Sequence, residues 1–212
     1  MKRAVIFSNG DLADVSQVKK ELKKSDLVIA ANGGSKHCKT LGIVPDLVIG
    51  DLDSLDKKLK QEWERKNVAI ISYPEDKNWT DTELALKQAI KQGYKEIVLA
   101  GFLGSRVDHV ISNLLMMTDL IDKVDKLMII EGQQEIYVIK DRVEIKGKQG
   151  DLVSLIPLLK DCQGVTTEGL KYQLQGSILK FGKSRGVSNV MLGKKAEIRV
   201  KKGKLLVVYN MG

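Results

Sequence analysis

A chain of 212 residues with 43% hydrophobic content can bury one large core or two modest ones, which excludes a disordered segment. Its net charge of +8 is uneven: residues 133–212 hold 15 Lys/Arg against 7 Asp/Glu, whereas residues 1–132 hold 20 of each. The basic residues alternate with apolar ones, as in Ala196-Glu197-Ile198-Arg199-Val200-Lys201, so they read as solvated strand faces that help attract anions, and nucleic-acid binding is not expected.

The first predicted strand, Ala4–Ser8, carries an apolar run of only about four residues, too short for the core of a signal peptide. No later stretch approaches the roughly 18 apolar residues of a membrane span, so the expectation is a soluble, cytoplasmic chain without membrane association. Further strands follow at Asp26–Ala30, Asp46–Ile49, Val68–Ser72, Glu96–Ala100 and Lys126–Ile130, separated by amphipathic stretches. That alternation predicts an α/β domain over residues 1–131, a mostly parallel sheet with flanking helices. One of those helices is well marked: Thr80 caps it, Glu83 completes a capping box, Leu84-Ala85-Leu86 begins its apolar face and Gly93 stops it.

After Gly132 the rhythm changes to short alternating strands: Glu135–Ile139, Val143–Ile145, Leu152–Ile156, Ser177–Phe181, Ala196–Val200 and Leu205–Tyr209. Gly-containing turns separate them and no long helical period survives, so residues 132–212 are predicted to form an all-β sandwich. Cys38 and Cys162 lack ligand or CxxC spacing and read as buried free thiols, and with only His37 and His109 a His-rich metal site is excluded.

Polar residues gather where the N-terminal strands end, the edge of an open α/β sheet that binds ligands. Asn32-Gly33-Gly34 either lets backbone N–H groups approach an anion or simply makes a tight turn. In Gly50-Asp51-Leu52-Asp53-Ser54 an apolar strand delivers two carboxylates, whose mutual repulsion a divalent cation such as Mg²⁺ would relieve. The plainer alternative is helix capping by Asp53 or Ser54. Lys77 is placed to meet a phosphate, and Asp81 stands in the first turn of the capped helix, where the dipole alone would justify it. If a helix begins near Ser105, then Arg106, His109 and Asn113 share one face, with Asp108 pointing elsewhere. In the β half, Gly169-Leu170-Lys171-Tyr172 and Ser188-Asn189 are explained largely by turn chemistry.

Taken in order, these motifs resemble the thiamine pyrophosphokinase family. The match runs through Asn32-Gly33-Gly34, Pro45-Asp46, Gly50–Ser54, Lys77 with Thr80-Asp81, Gly104–His109, Val153–Leu158, Gly169–Tyr172 and Ser188-Asn189. The resemblance implies a homodimer in which thiamine lies between the catalytic domain of one subunit and the β-domain of the other. It implies Asp51, Asp53, Asp81 and Asp108 as the catalytic, Mg²⁺-binding acids. Asn32, Gly33, Gly34, Lys77, Thr80, Arg106 and His109 become contacts of ATP and its phosphates, and Ser188 and Asn189 contacts of thiamine. The implied reaction transfers the pyrophosphoryl group of ATP to the thiamine hydroxyl and releases AMP. Two departures stand out: the family's glycine motif usually begins with Asp where this chain has Asn32, and the Lys-Asp-x-Thr-Asp pattern has Asn78 in place of its first Asp. The competing readings are pyrophosphoryl transfer to another hydroxymethyl heterocycle, such as a pterin, and a non-catalytic thiamine or nucleotide sensor.

Overall fold

The computed structural model describes residues 2–12, 14–53 and 55–212. Ser54, weighed above as a helix cap, lies outside the described residues. The chain divides into two compact units, one formed by Met1–Asn113 with Ile130–Gly132 and the other by Leu114–Ile129 with Gln133–Gly212.

The first unit is built on five parallel strands: β1 (Arg3–Phe7), β2 (Leu27–Ala31), β3 (Leu47–Gly50), β4 (Ala69–Ser72) and β5 (Glu96–Ala100), in the order β4-β3-β2-β1-β5. Near-continuous apolar runs such as Leu27-Val28-Ile29-Ala30-Ala31 suit strands covered on both faces, and β1 is buried along its whole length. The coverings are helices α1 (Ser16–Glu21), α2 (Ser35–Leu41), α3 (Lys57–Arg65), α4 (Asp81–Lys91) and α5 (Val107–Leu120), the last of which runs on into the second unit. In α3, Leu59 and Trp63, four residues apart, form the buried stripe while Lys and Glu take the wet face. The chain leaves β1 in one direction and returns to its other side as β5, so the carboxyl ends of β1 and β5 flank the topological switch point.

Strand β6 (Lys126–Glu131), buried from Leu127 to Ile130, falls on the expected strand Lys126–Ile130. The second unit is β-rich. Strands β7 (Gln134–Ile139), β8 (Arg142–Lys146), β9 (Leu152–Glu168), β12 (Lys195–Arg199) and β13 (Lys202–Asn210) run antiparallel in the order β7-β13-β9-β12-β8. Two short strands, β10 (Ser177–Leu179) and β11 (Asn189–Val190), also pair with β9. The expected strand ending at Ile156 instead continues for 17 residues. It passes from β13 to β12 across Leu159 (φ 66°) and Gly164 (φ 66°), the sort of irregularity by which one strand serves two sheets of a sandwich. Both cysteines are free and buried, and burial pushes the Cys38 thiol up to about 12. Among the described residues no helix is long and apolar enough to cross a membrane.

Candidate active site

The ends of β2, β3 and β4 and the first turn of α4 bring five predicted residues together. Directly after β2, Asn32 takes a left-handed conformation (φ 41°) that turns its carboxamide toward the end of β3. Its Nδ2 donates to Asp51 Oδ1 at 2.7 Å and to Asp53 Oδ1 at 2.8 Å. The intervening Leu52 is also left-handed (φ 66°), which allows acids two residues apart to face one amide. From the loop after β4, Lys77 Nζ reaches Asp51 Oδ2 at 3.3 Å and Asp81 Oδ1 at 2.8 Å. Gly50, at φ 149°, is where β3 passes closest: a Cβ there would stand 2.8 Å from Asn32 Cβ and 2.9 Å from Asp81 Cγ, so only glycine admits the acids this near the strand.

Asp81 is delivered by the Thr80 cap read from the sequence, while the Glu83 carboxylate, expected to complete a capping box, pairs with Lys87 at 2.8 Å. Thr80 is the N-cap of α4 and its hydroxyl accepts the Glu83 N–H at 3.2 Å. The capping alternative for Asp53 is corrected by Asp56, whose carboxylate accepts the N–H groups of Lys58 and Leu59 and caps α3. Gly33 and Gly34 are buried, and packing accounts for both. A Cβ at Gly33 would overlap the Asn9 side chain at 2.3 Å, and one at Gly34 would sit 2.0 Å from the Phe7 carbonyl oxygen.

Lys77 is 9% exposed. Burial works against its charge, but Asp81 and Asp51 outweigh that and hold its pKa above the ordinary lysine value. Asn32 is 8% exposed, and its Oδ1 has no hydrogen-bond partner among the described residues; Asp81 Oδ1 touches the Lys77 ammonium but lacks an aligned hydrogen bond. The unpartnered Asn32 Oδ1 and the carboxylate oxygens of Asp51, Asp53 and Asp81 are hard donors of the kind that fits Mg²⁺, which takes one or two carboxylates and completes its shell with phosphate oxygens and water. Among the described residues no three Asp, Glu, His or Cys side chains form a cage sufficient by themselves.

Asp108 is not brought into this group. Its carboxylate pairs with Arg106 at 2.6 Å, both side chains are about two-thirds exposed, and that guanidinium lowers the Asp108 pKa. Helix α5 begins at Val107 rather than near Ser105, which leaves Arg106 just ahead of it. Arg106, His109 and Asn113 nevertheless line one cavity of about 290 Å³ at the switch point between β1 and β5. Its other wall was missed from the sequence: Ser8, Asn9, Gly10 and Asp11 directly after β1, with Thr82 from α4. The available signal was the abrupt change from Val5-Ile6-Phe7 to a polar run at a strand end. This wall is held from behind. His37 Nε2 donates to the Gly10 carbonyl at 2.7 Å, and burial lowers the His37 pKa, keeping the ring neutral. Thr82 Oγ1 donates to Ser8 Oγ at 3.0 Å, tying the cavity wall to α4, which carries Asp81. Glu131 accepts the Leu103 N–H at 3.4 Å; burial, with Asp11 adding, pushes its carboxyl up to about 7.

In the second unit, Asn189 is buried and engaged at both ends of its amide: Oδ1 accepts the N–H groups of Tyr172 and Val190, and Nδ2 donates to the Tyr172 carbonyl. It therefore shapes the wall of a cavity of about 360 Å³ that Tyr172, Arg185 and Val187 also line. Ser188 is exposed in a left-handed conformation (φ 57°), its N–H held by Ser154 Oγ at 3.0 Å.

Comparison with known proteins adds an independent line. Residues 18–130 match the family described as thiamin pyrophosphokinase, catalytic domain, and residues 136–205 match thiamin pyrophosphokinase, vitamin B1 binding domain. The thiamine pyrophosphokinase of Bacillus subtilis is 26% identical over 186 residues, spanning 87% of each chain. Thiamin pyrophosphokinase 1 of Caenorhabditis elegans is 23% identical over 201 residues, with 87% of this chain and 79% of that one covered. The crystal structure of the Bacillus subtilis enzyme superposes with a TM-score of 0.87 over 99% of both chains at 22% identity, so the fold is shared.

Proposed function

The chain belongs to the thiamin pyrophosphokinase family, and on that premise we propose that it transfers the pyrophosphoryl group of ATP to the hydroxyl of thiamine, giving thiamine diphosphate and AMP. The observation that carries this reading is the meeting of Asn32, Asp51, Asp53, Lys77 and Asp81 at one rim of the parallel sheet. In this reading residues 1–131 are the catalytic domain and residues 132–212 hold thiamine. Transfer to a phosphorus centre needs little covalent help from protein; it needs alignment and compensation of shifting charge. A Mg²⁺ ion on oxygens of Asp51, Asp53 and Asp81 would neutralise the polyphosphate as charge moves toward the leaving AMP.

The remaining work falls to side chains. Lys77 supplies an ammonium held beside the acids, and Arg106 offers a planar, multi-donor contact for phosphate oxygens at the cavity mouth. Arg106 spends that capacity on Asp108, so phosphate would exchange one anionic partner for another. His109 and Asn113 line the same cavity with polar edges for the nucleotide, while Gly33 and Gly34 let the segment after β2 pack against Asn9 and so shape the approach. Thr80 acts at one remove, by fixing the first turn from which Asp81 projects. Asn189 likewise organises the Tyr172 turn, and Ser188 presents the exposed hydroxyl of the thiamine site.

The same reading includes a cytoplasmic homodimer with thiamine bound at the subunit interface. It is supported by Val107, Ile111 and Leu115, spaced by four on α5 and each about half or more exposed, an apolar stripe suited to a second copy. Incubation of the purified chain with thiamine, ATP and Mg²⁺ tests the function: AMP and thiamine diphosphate should form in equal amounts. ADP with thiamine monophosphate, or AMP formation that requires a pterin acceptor, would contradict it. Light scattering should give twice the chain mass.

A further inference from the structure

Within the acid rim, nitrogen donors occupy the positions a cation would be expected to fill. The Asn32 amide bridges Asp51 and Asp53 through one nitrogen, and the Lys77 ammonium bridges Asp51 and Asp81. Three carboxylates from two chain segments, the loop after β3 and the first turn of α4, are thus drawn together by two nitrogen donors. Asn32 is more than nine-tenths buried and leaves its Oδ1 unpartnered beside them, among the described residues. A buried carbonyl oxygen without a donor, beside carboxylates that share two nitrogen donors, marks a place where the cluster can accept a further ligand. Building on the proposed function, we infer that Lys77 and Asn32 are built-in placeholders for the divalent cation. Entry of the ion and release of Lys77 toward the polyphosphate form a single exchange.

The physical reason is competition. An ammonium on Asp51 and Asp81 repels a divalent ion brought to the same oxygens, and the repulsion is strong because the site is largely shielded from water. Free cation therefore binds poorly. When the ion arrives with a polyphosphate, the released ammonium has a new anionic partner a short swing away, and the repulsion becomes an attraction shared with the ligand. The Asn32 carboxamide takes part by rotation: turning its unpartnered Oδ1 toward the ion exchanges a hydrogen-bond donor for an oxygen ligand. In this chain Asn32 therefore holds Asp51 and Asp53 together without an ion, which an aspartate, having no N–H, would not do.

The test is Mn²⁺ binding to the full chain without nucleotide, by electron paramagnetic resonance of the free ion, with circular dichroism as the fold control. Lys77→Met should bind Mn²⁺ at least about tenfold more tightly than wild type, whereas Lys77→Arg, which keeps the charge, should not. Asn32→Asp should tighten binding by a similar factor. A natively folded Lys77→Met with unchanged or weaker Mn²⁺ binding overturns the inference; if that variant fails to fold, unchanged affinity in Asn32→Asp does so. Thiamine diphosphate formation by wild type is scored separately. Product without tightening in the variants removes this inference and leaves the function standing, and tightening without product does the reverse.

Discussion

Two pairings of a basic and an acidic side chain, Lys77 with Asp51 and Asp81 and Arg106 with Asp108, look alike in sequence and differ in what surrounds them. The first is largely buried at the end of a parallel sheet and is joined to a second donor, Asn32. The second stands about two-thirds exposed ahead of α5. Water screens the exposed pair, and such pairs contribute little to stability. In the buried cluster each charge depends on the others, because removing one leaves its partner desolvated and uncompensated. Environment, more than residue type, separates a preorganised charge site from a mobile arm available to a ligand.

The largest expected effect comes from breaking the buried side. Asp81→Ala should lower kcat by about 10²–10³-fold, in the range for removing one preorganised electrostatic group, measured by AMP release. A loss below tenfold would erase the distinction between the two regions. Next comes Glu131, which supports the Leu103 loop beside the cavity at the switch point. Its carboxyl is held up to about 7 by burial, so the native state binds more protons than the unfolded state between the free-glutamate range and neutrality. Stability should therefore fall as pH rises through that window, by up to about 3 kcal/mol, and Glu131→Gln should flatten the profile in urea melts. A wild-type profile already flat there would contradict the assignment. Thr80→Ala removes the cap that sets the first turn of α4 and should cost about 1 kcal/mol, read as a lowered Tm. The smallest stability effect belongs to the exposed pair: Asp108→Ala should leave the Tm unchanged while freeing Arg106 for phosphate, and a clear drop in Tm would contradict the contrast.

The same contrast explains what could be read from the sequence. Parallel strands such as Val98-Leu99-Ala100 are apolar throughout and stand out, and the Thr80–Glu83 cap and the residues at strand ends follow from them. The long strand β9 did not stand out, because Pro157 has no N–H and reads as a stop. In the fold Pro157 still takes its place opposite Leu205, and the strand bends at Leu159 and Gly164 instead of ending. Asp53 and Asp56 are equally good caps on paper, and only the left-handed turn at Leu52 sends the first to Asn32 and leaves the second to α3. For Asn189 the residues themselves point to turn chemistry, and its hydrogen bonds do close a local turn, whereas contact with thiamine is what the family resemblance implies. Ser8–Asp11 escaped notice because a short polar run after a first strand carries no motif; its meaning comes from the strand order that sets β5 beside β1.

Asp53 tests the account most directly, since it reaches the cluster only through the turn at Leu52 and the Asn32 amide. Turnover of Asp53→Ala, measured as thiamine diphosphate formed at saturating ATP, thiamine and Mg²⁺, should fall by at least about a hundredfold while the fold is retained. Near-normal turnover in that variant would contradict the claim that the acids at this rim carry the chemistry.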